Sequence, residues 1–272
     1  MSLPATHRAD IVIGGVRVGV TTSSASFLGL LEERYAGFLA APAPADYDFD
    51  VELATLAEGS ADDDVRVYRH EGRWRIERGD FRADLDPVAR HGHIRQSENP
   101  YSIDSVLRIV HTLALAREGG FLMHSASALV AGKAFLFAGV SGAGKTTISR
   151  LAPPHVTLLS DEVSYVRRAQ GRYIAYGTPF AGELARSGEN VSAPLGAVYL
   201  LEKGPENRIS RVAPADAARA ILANVLFFAE DEALVQAVFA AALDLVERVP
   251  VRRLAFAPDA RVWDLVEREA GR

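Results

Sequence analysis

The stretch Ala134–Leu151, AFLFAGVSGAGKTTISRL, decides the fold. It carries Gly139, four residues, then Gly144, Lys145 and Thr146, the full spacing of a phosphate-binding loop. Ahead of the glycines, Ala134, Phe135, Leu136 and Phe137 form a short apolar run that predicts a buried strand, and Thr146–Leu151 reads as the start of a helix. Glycines let successive backbone N–H groups converge on one anion with no Cβ in the way. The following helix adds its positive end. The residues expected to hold a nucleotide are Gly139, Ser141, Gly142, Ala143, Gly144, Lys145, Thr146 and Thr147. Lys145 should reach the β- and γ-phosphates, and the Thr146 hydroxyl is placed to ligate Mg²⁺, with Mn²⁺ able to take the same place. The plain alternative is a glycine-rich turn that binds nothing; with strand before and helix after, a nucleoside triphosphate is the expected ligand.

Three further stretches carry candidate chemistry. Val156–Glu162, VTLLSDE, is an apolar run ending in acid. Ligands of open α/β sheets sit at the carboxyl ends of strands, so Asp161 is expected beside the phosphate loop. There it would hold the metal or accept a hydroxyl proton from a phosphoryl acceptor, with Glu162 as the neighbouring candidate. Taken alone, an acid at a strand end is commonly a solvated turn carboxylate. Met123–Ala128, MHSASA, places His124 one strand upstream of the loop, where a histidine is either a core residue or a catalytic one. Tyr176–Glu183, YGTPFAGE, reads as an irregular loop, either a structural turn or a substrate contact ending in Glu183.

Composition narrows the class. The 272 residues allow one large or two modest domains, and 49% hydrophobic with 24% charged residues is ordinary for a globular chain. A net charge of −5 gives no nucleic-acid footprint. The absence of cysteine excludes disulfides, thiolate zinc sites and a cysteine nucleophile. The opening MSLPATHRADIVIGG lacks the apolar core of a signal peptide, and Ala233–Val246 is too short and too interrupted, by Gln236 and Asp244, to span a bilayer. A cytoplasmic protein with no membrane partner is expected; an oligomer is compatible with the sequence.

Roughly a hundred residues precede the nucleotide unit, and they read mostly as strand. Ile11–Val20 is β-branched and broken by Gly14–Gly15; Asp48–Leu56 alternates; Val65 and Val67, Glu71–Gly72, then Trp74 and Ile76 look like a hairpin that Phe81, Ala83 and Leu85 continue. One helix, carrying Phe27, Leu30, Leu31, Tyr35, Phe38 and Leu39 on one face, interrupts them and ends at Ala41–Asp46. Asn99–Pro100 marks the expected boundary, giving a β-rich domain over 1–99 and a phosphate-loop domain over 100–272. The second part opens with a helix over Ser102–Glu118 capped by Gly119–Gly120 and a strand over Phe121–Val130. After the loop helix, which Pro153–Pro154 stops, come strands at His155–Ser160, Gly171–Tyr176, Ala197–Glu202 and Arg253–Phe256. Helices are expected at Pro214–Phe228 and Glu232–Arg248, with a last turn at Trp263–Val266. The imperfect βαβ alternation predicts a mixed α+β fold with a mixed sheet. Arg167–Arg168 and Arg252–Arg253 read as solvated charge, and His91 with His93 lacks a third metal ligand.

MHSASA, GVSGAGKTT and LLSDE, in this order and spacing, resemble the HPr kinase/phosphorylase and phosphoenolpyruvate carboxykinase group of phosphate-loop proteins. More specifically, the chain resembles the HPr-kinase-related kinases, small proteins with a β-rich front domain. The resemblance covers Phe121–Glu183 well, the rest of the second half loosely and the front half hardly at all. It implies a carboxykinase-like phosphate-loop domain, a nucleotide role for the loop residues and a metal or base role for Asp161. Glu162 stands where the relatives usually carry a second Asp. His124 matches an upstream histidine that is a metal ligand in carboxykinases and a phosphate-side residue in HPr kinases. No Glu-x-Arg-Gly-x-Gly stretch follows the acid pair, which counts against HPr itself as substrate. The implied activity is an ATP-dependent kinase acting on a hydroxyl of a peptide, protein or small molecule. The alternative is an ATP-binding switch with weak or no transfer; no LSGGQ-like signature points to a transporter ATPase.

Overall fold

Gly14 and Gly15, with φ of 60° and 85°, turn the chain between β1 (His7–Ile13) and β2 (Val16–Thr22), which pair antiparallel. Left-handed backbone of this kind costs glycine nothing. The computed structural model describes residues 6–54 and 64–271. These divide into two units, the first comprising 1–113 with 228–235 and the second 114–227 with 236–272.

In the first unit, Ser24 caps α1 (Ala25–Arg34), its hydroxyl accepting the Phe27 amide at 3.2 Å. The expected helix runs on to Leu39, but the observed one stops at Arg34. Tyr35 ends it, Ala36–Phe38 form a tight 3₁₀ turn, and Leu39 enters the two-residue strand β3 (Leu39–Ala40), paired to Ile11. Tyr35 and Phe38 are both buried in this arrangement, and the Tyr35 hydroxyl donates to Asp104. Sheet pairing and burial thus override the helical spacing of the apolar residues.

The remaining strands of this unit are β4 (Tyr47–Leu53), β5 (Arg66–His70), β6 (Arg73–Arg78), β7 (Phe81–Asp86) and β8 (His91–Gln96). The eight-stranded sheet runs β3-β1-β2-β4-β8-β7-β6-β5. β4 lies parallel to both β2 and β8, so the sheet is mixed, while β5 to β8 form an antiparallel meander. Glu71 and Gly72, φ 49° and 78°, make the β5–β6 turn, both positive as a two-residue hairpin favours. Leu56, the expected end of β4, lies outside the described residues. On the solvated side His91 faces Asp50 at 3.1 Å and His93 faces Glu52 at 3.2 Å, cross-strand pairs rather than a metal cluster. Then α2 (Pro100–Arg117) begins, and Gly119, φ 71°, follows its end.

In the second unit, the long strand β9 (Gly120–Val130) is the hub. β10 (Lys133–Ala138) returns antiparallel beside Ser125–Val130. The chain then makes α3 (Lys145–Arg150), β11 (Thr157–Ser160), β12 (Val163–Ala169), β13 (Arg172–Tyr176), β14 (Ser192–Lys203), β15 (Arg208–Arg211), α4 (Pro214–Asn224), β16 (Val225–Leu226), α5 (Glu232–Arg248), β17 (Val251–Phe256) and α6 (Val262–Ala270). The sheet order is β10-β9-β12-β13-β14-β17-β15, with β11 and β16 on β9 and a further β10–β14 pairing. β10–β14 and β14–β17 are parallel and the other pairs antiparallel. The fold is mixed α+β with two mixed sheets. β12 has no counterpart in the sequence reading; it forms a hairpin with β13 across Gln170–Gly171, φ 51° and 78°.

Alternation along β10 sends Phe135 and Phe137 into the core beneath the loop. Both rings stack on Tyr199, and Phe137 meets Trp263 of α6 edge-on at 5.4 Å between centroids. The Trp263 indole N–H donates to the Ile148 carbonyl at 3.1 Å, pinning α3 onto this core. A six-residue helix is too short to hold itself in water, so this packing is what keeps it formed. Among the described residues no helix is long and apolar enough to cross a membrane.

Candidate functional site

The glycine loop follows directly from the end of β10. Gly142 has φ 76° and Gly144, the N-cap of α3, has φ 114°. Both lie in the left-handed region, and a Cβ on Gly144 would also strike the ring of Phe256. Ala143 is buried and its amide closes a turn onto the Val140 carbonyl at 3.0 Å, while Val140 itself is 80% exposed. The loop is therefore anchored from below and open above.

A cleft of about 320 Å³ opens there. Ser141, Gly142, Gly144, Lys145, Thr146 and Thr147 line it from the loop and α3, His124 lines it from β9, and Asp161 and Glu162 line it from the link between β11 and β12. The topology explains this meeting. β9 pairs with β10 on one edge and with β11 and β12 on the other, so the Ser160–Val163 connection passes beside the loop. The Ser160 hydroxyl accepts the amides of Glu162 and Val163, at 3.2 and 2.9 Å, shaping that connection. The Ser125 amide donates to the Glu162 carbonyl at 3.0 Å, which places His124 next to the acid pair. Two expected loop residues do not line the cleft: Ala143 is an anchor, and Gly139 supplies a carbonyl.

That carbonyl accepts the Lys145 ammonium at 3.0 Å. Partial burial pulls the Lys145 pKa below its ordinary value, and the nearby Glu162 and Glu183 carboxylates push back upward. Asp161, 7% exposed, accepts the Gly182 amide at 2.9 Å and the Leu184 amide at 3.0 Å, one on each oxygen. The loop joining β13 to β14 is thus tied to the acid pair. Gly182 is required by that approach: a Cβ there would lie 2.8 Å from the Glu162 Cβ and 3.1 Å from an Asp161 oxygen. Glu183 follows and lines the cleft, so YGTPFAGE serves both as a structural turn and as a wall of the site.

Arg150 and Lys203 also line the cleft, and the sequence reading missed both. Each had a signal. Arg150 stands three residues after Thr147, on the same helix face. Lys203 ends β14, which runs parallel to β10 and continues past the Ala138–Leu200 pair, so its carboxyl end arrives beside the loop.

Three cationic side chains, Lys145, Arg150 and Lys203, and three acidic ones, Asp161, Glu162 and Glu183, share the cleft. Acids so placed repel a polyphosphate unless a divalent cation stands between them. The Thr146 hydroxyl and the Asp161 and Glu162 carboxylates are hard oxygen donors of the kind Mg²⁺ takes. Among the described residues no group of three or more His, Asp or Glu could hold a metal unaided. That donor set fits an ion held by one or two carboxylates together with phosphate oxygens.

Fold and site together define a mixed α+β protein with a glycine loop and an acid pair on one cleft. The chain belongs to the family described as SynChlorMet cassette protein ScmC, whose model matches residues 94–270. No curated protein matches it. Among solved structures it is similar to the Hpr(Ser) kinase/phosphatase from Coxiella burnetii, at 12% identity and a TM-score of 0.31, over 55% of this chain and 88% of that one. A likeness so distant carries nothing about activity.

Proposed function

We propose that the chain is an ATP-dependent phosphotransferase whose acceptor is a hydroxyl on a peptide, protein or small molecule. One observation carries the reading: a loop with the phosphate-binding spacing and the Asp161–Glu162 pair line the same cleft. Phosphoryl transfer asks a protein chiefly for positioning and charge neutralisation. The loop amides from Ser141 to Thr147 would seat the phosphates. Lys145 would leave the Gly139 carbonyl for the β- and γ-phosphate oxygens, and Lys203 and Arg150 would add positive charge along the chain. Thr146 and Asp161 would hold Mg²⁺, or Mn²⁺, which when bound neutralises the phosphate oxygens. With Asp161 on the metal, Glu162 would orient the acceptor hydroxyl and take its proton, and His124 would donate to a phosphate oxygen. The motif resemblance to HPr-kinase-related proteins supports the same reading.

A nucleotide-dependent switch is the second reading, favoured by one feature. Both oxygens of Asp161 hold the amides of Gly182 and Leu184, so any shift of this carboxylate on nucleotide binding passes to the 182–184 loop. ATP labelled at the γ-phosphate, offered with serine- and threonine-bearing peptides and small alcohols, separates the two. Transfer is expected to reach at least one acceptor and to vanish in Lys145→Ala. ATP bound normally with every acceptor unlabelled would replace the kinase reading by the switch.

A further inference from the structure

The phosphate cleft continues past α3. A second cavity, of about 700 Å³, opens beside it, and Arg150 lines both. Pro153, Pro154, Val156 and Leu184 give this cavity apolar walls, and Arg186 adds a second guanidinium. The loop between β13 and β14 lines both spaces, with Glu183 on the cleft and Leu184 on the cavity.

The direction of the loop says which end of a nucleotide would meet the cavity. In a phosphate-binding loop the lysine marks the β/γ end, and the backbone amides cradle the α- and β-phosphates. Here Glu162 and Glu183 lie within electrostatic range of Lys145, marking the reacting end. Thr147 and then Arg150, one turn further along α3, lead away from that end. A triphosphate seated with its γ-group at Lys145 therefore sends its nucleoside past Arg150.

From this path we infer that the cavity flanked by Arg150, Pro153, Pro154 and Leu184 is the nucleoside subsite of a nucleoside triphosphate. The inference rests on the proposed reading of the loop as a triphosphate site. Apolar side chains such as Pro153, Pro154 and Leu184 suit the faces of a heterocyclic base, and a guanidinium stacks on such a face. Arg150, shared by the two spaces, stands where the ribose meets the α-phosphate. The size is that of an ordinary small-molecule pocket, roughly 300–1,000 Å³.

Calorimetric titration with ATP and, separately, with inorganic tripolyphosphate tests this, both with Mg²⁺ present. The unaltered chain should bind ATP more tightly than tripolyphosphate. Thr157→Trp, which fills the cavity from β11, should weaken ATP by roughly tenfold or more and leave tripolyphosphate nearly unchanged. Pro154→Trp, at an exposed position of the same wall, should do the same and carries the test if the first variant fails to fold. Equal affinity for the two ligands in the unaltered chain, or unchanged ATP affinity in a folded filled variant, would overturn the subsite while the triphosphate reading stands. Binding of neither ligand would overturn that reading and the subsite with it.

Discussion

The ring of Phe256 occupies the space that a side chain on Gly144 would need: a Cβ at Gly144 would lie 2.7 Å from the Phe256 Cζ. Gly144 is also at φ 114°, outside what an L side chain readily adopts. Gly144→Ala is expected to destabilise the protein by about 1–3 kcal/mol and to weaken ATP binding at least tenfold. Adding Phe256→Leu should return only part of the loss, since relief of the contact leaves the backbone strain. Denaturant titration beside ATP titration checks this; an unaffected single variant would show that the turn adapts.

Lys145→Ala should lower ATP affinity by about tenfold or more while leaving the melting temperature close to that of the unaltered chain. The ammonium is held by one carbonyl of its own loop, a contact whose loss costs little in the folded protein without ligand. Unchanged ATP affinity and turnover would remove the basis for the phosphate site.

Asp161→Asn presents one acceptor oxygen and one NH₂ group where two backbone amides now find two oxygens. It is expected to spare ATP binding, to lower phosphoryl transfer by roughly 10²–10⁴-fold, and to speed amide hydrogen exchange at Gly182 or Leu184. Full transfer activity in this variant would show that the carboxylate only braces the loop.

His111, fully buried in α2, has its pKa pushed down to about 3 by burial. The unfolded chain takes up that proton near the ordinary value of 6.5, so the stabilising effect is complete above that pH and is lost as pH falls toward 3. In His111→Leu, the difference in unfolding free energy between pH 7.5 and pH 5 should shrink by about 2 kcal/mol, from about 1.4 kcal/mol per unit of pH. Urea titrations at the two pH values measure it; an undiminished difference would assign the acid sensitivity elsewhere.

Much of this architecture could be read from spacing. The loop, the strand before it and the mixed character of the sheets follow from glycines at fixed intervals and from apolar runs, because turns and buried strands carry their own chemistry. The end of α1 could not be read, since Leu39 keeps helical spacing but finds a strand partner in Ile11, a contact distant in sequence. β12 was hidden next to the conspicuous acid pair, although Val163 and Tyr165 alternate and Gln170–Gly171 makes a hairpin turn. At the site, Gly182 shows the limit most clearly. Its need for a missing side chain comes from Glu162, twenty positions away, and only the folded chain brings them together.

The indole of Trp263 reaching the Ile148 carbonyl bears on the order of events during synthesis. A ribosome releases residues 139–147 long before residues 251–266. The nascent glycine turn, for all its local hydrogen bonds, would therefore lack its packing support until the strand carrying Phe256 and the helix carrying Trp263 have emerged and docked. On the proposed reading, a chain halted ahead of Val251 should be unable to retain nucleotide, so that competence would arrive late, as a property of the finished domain.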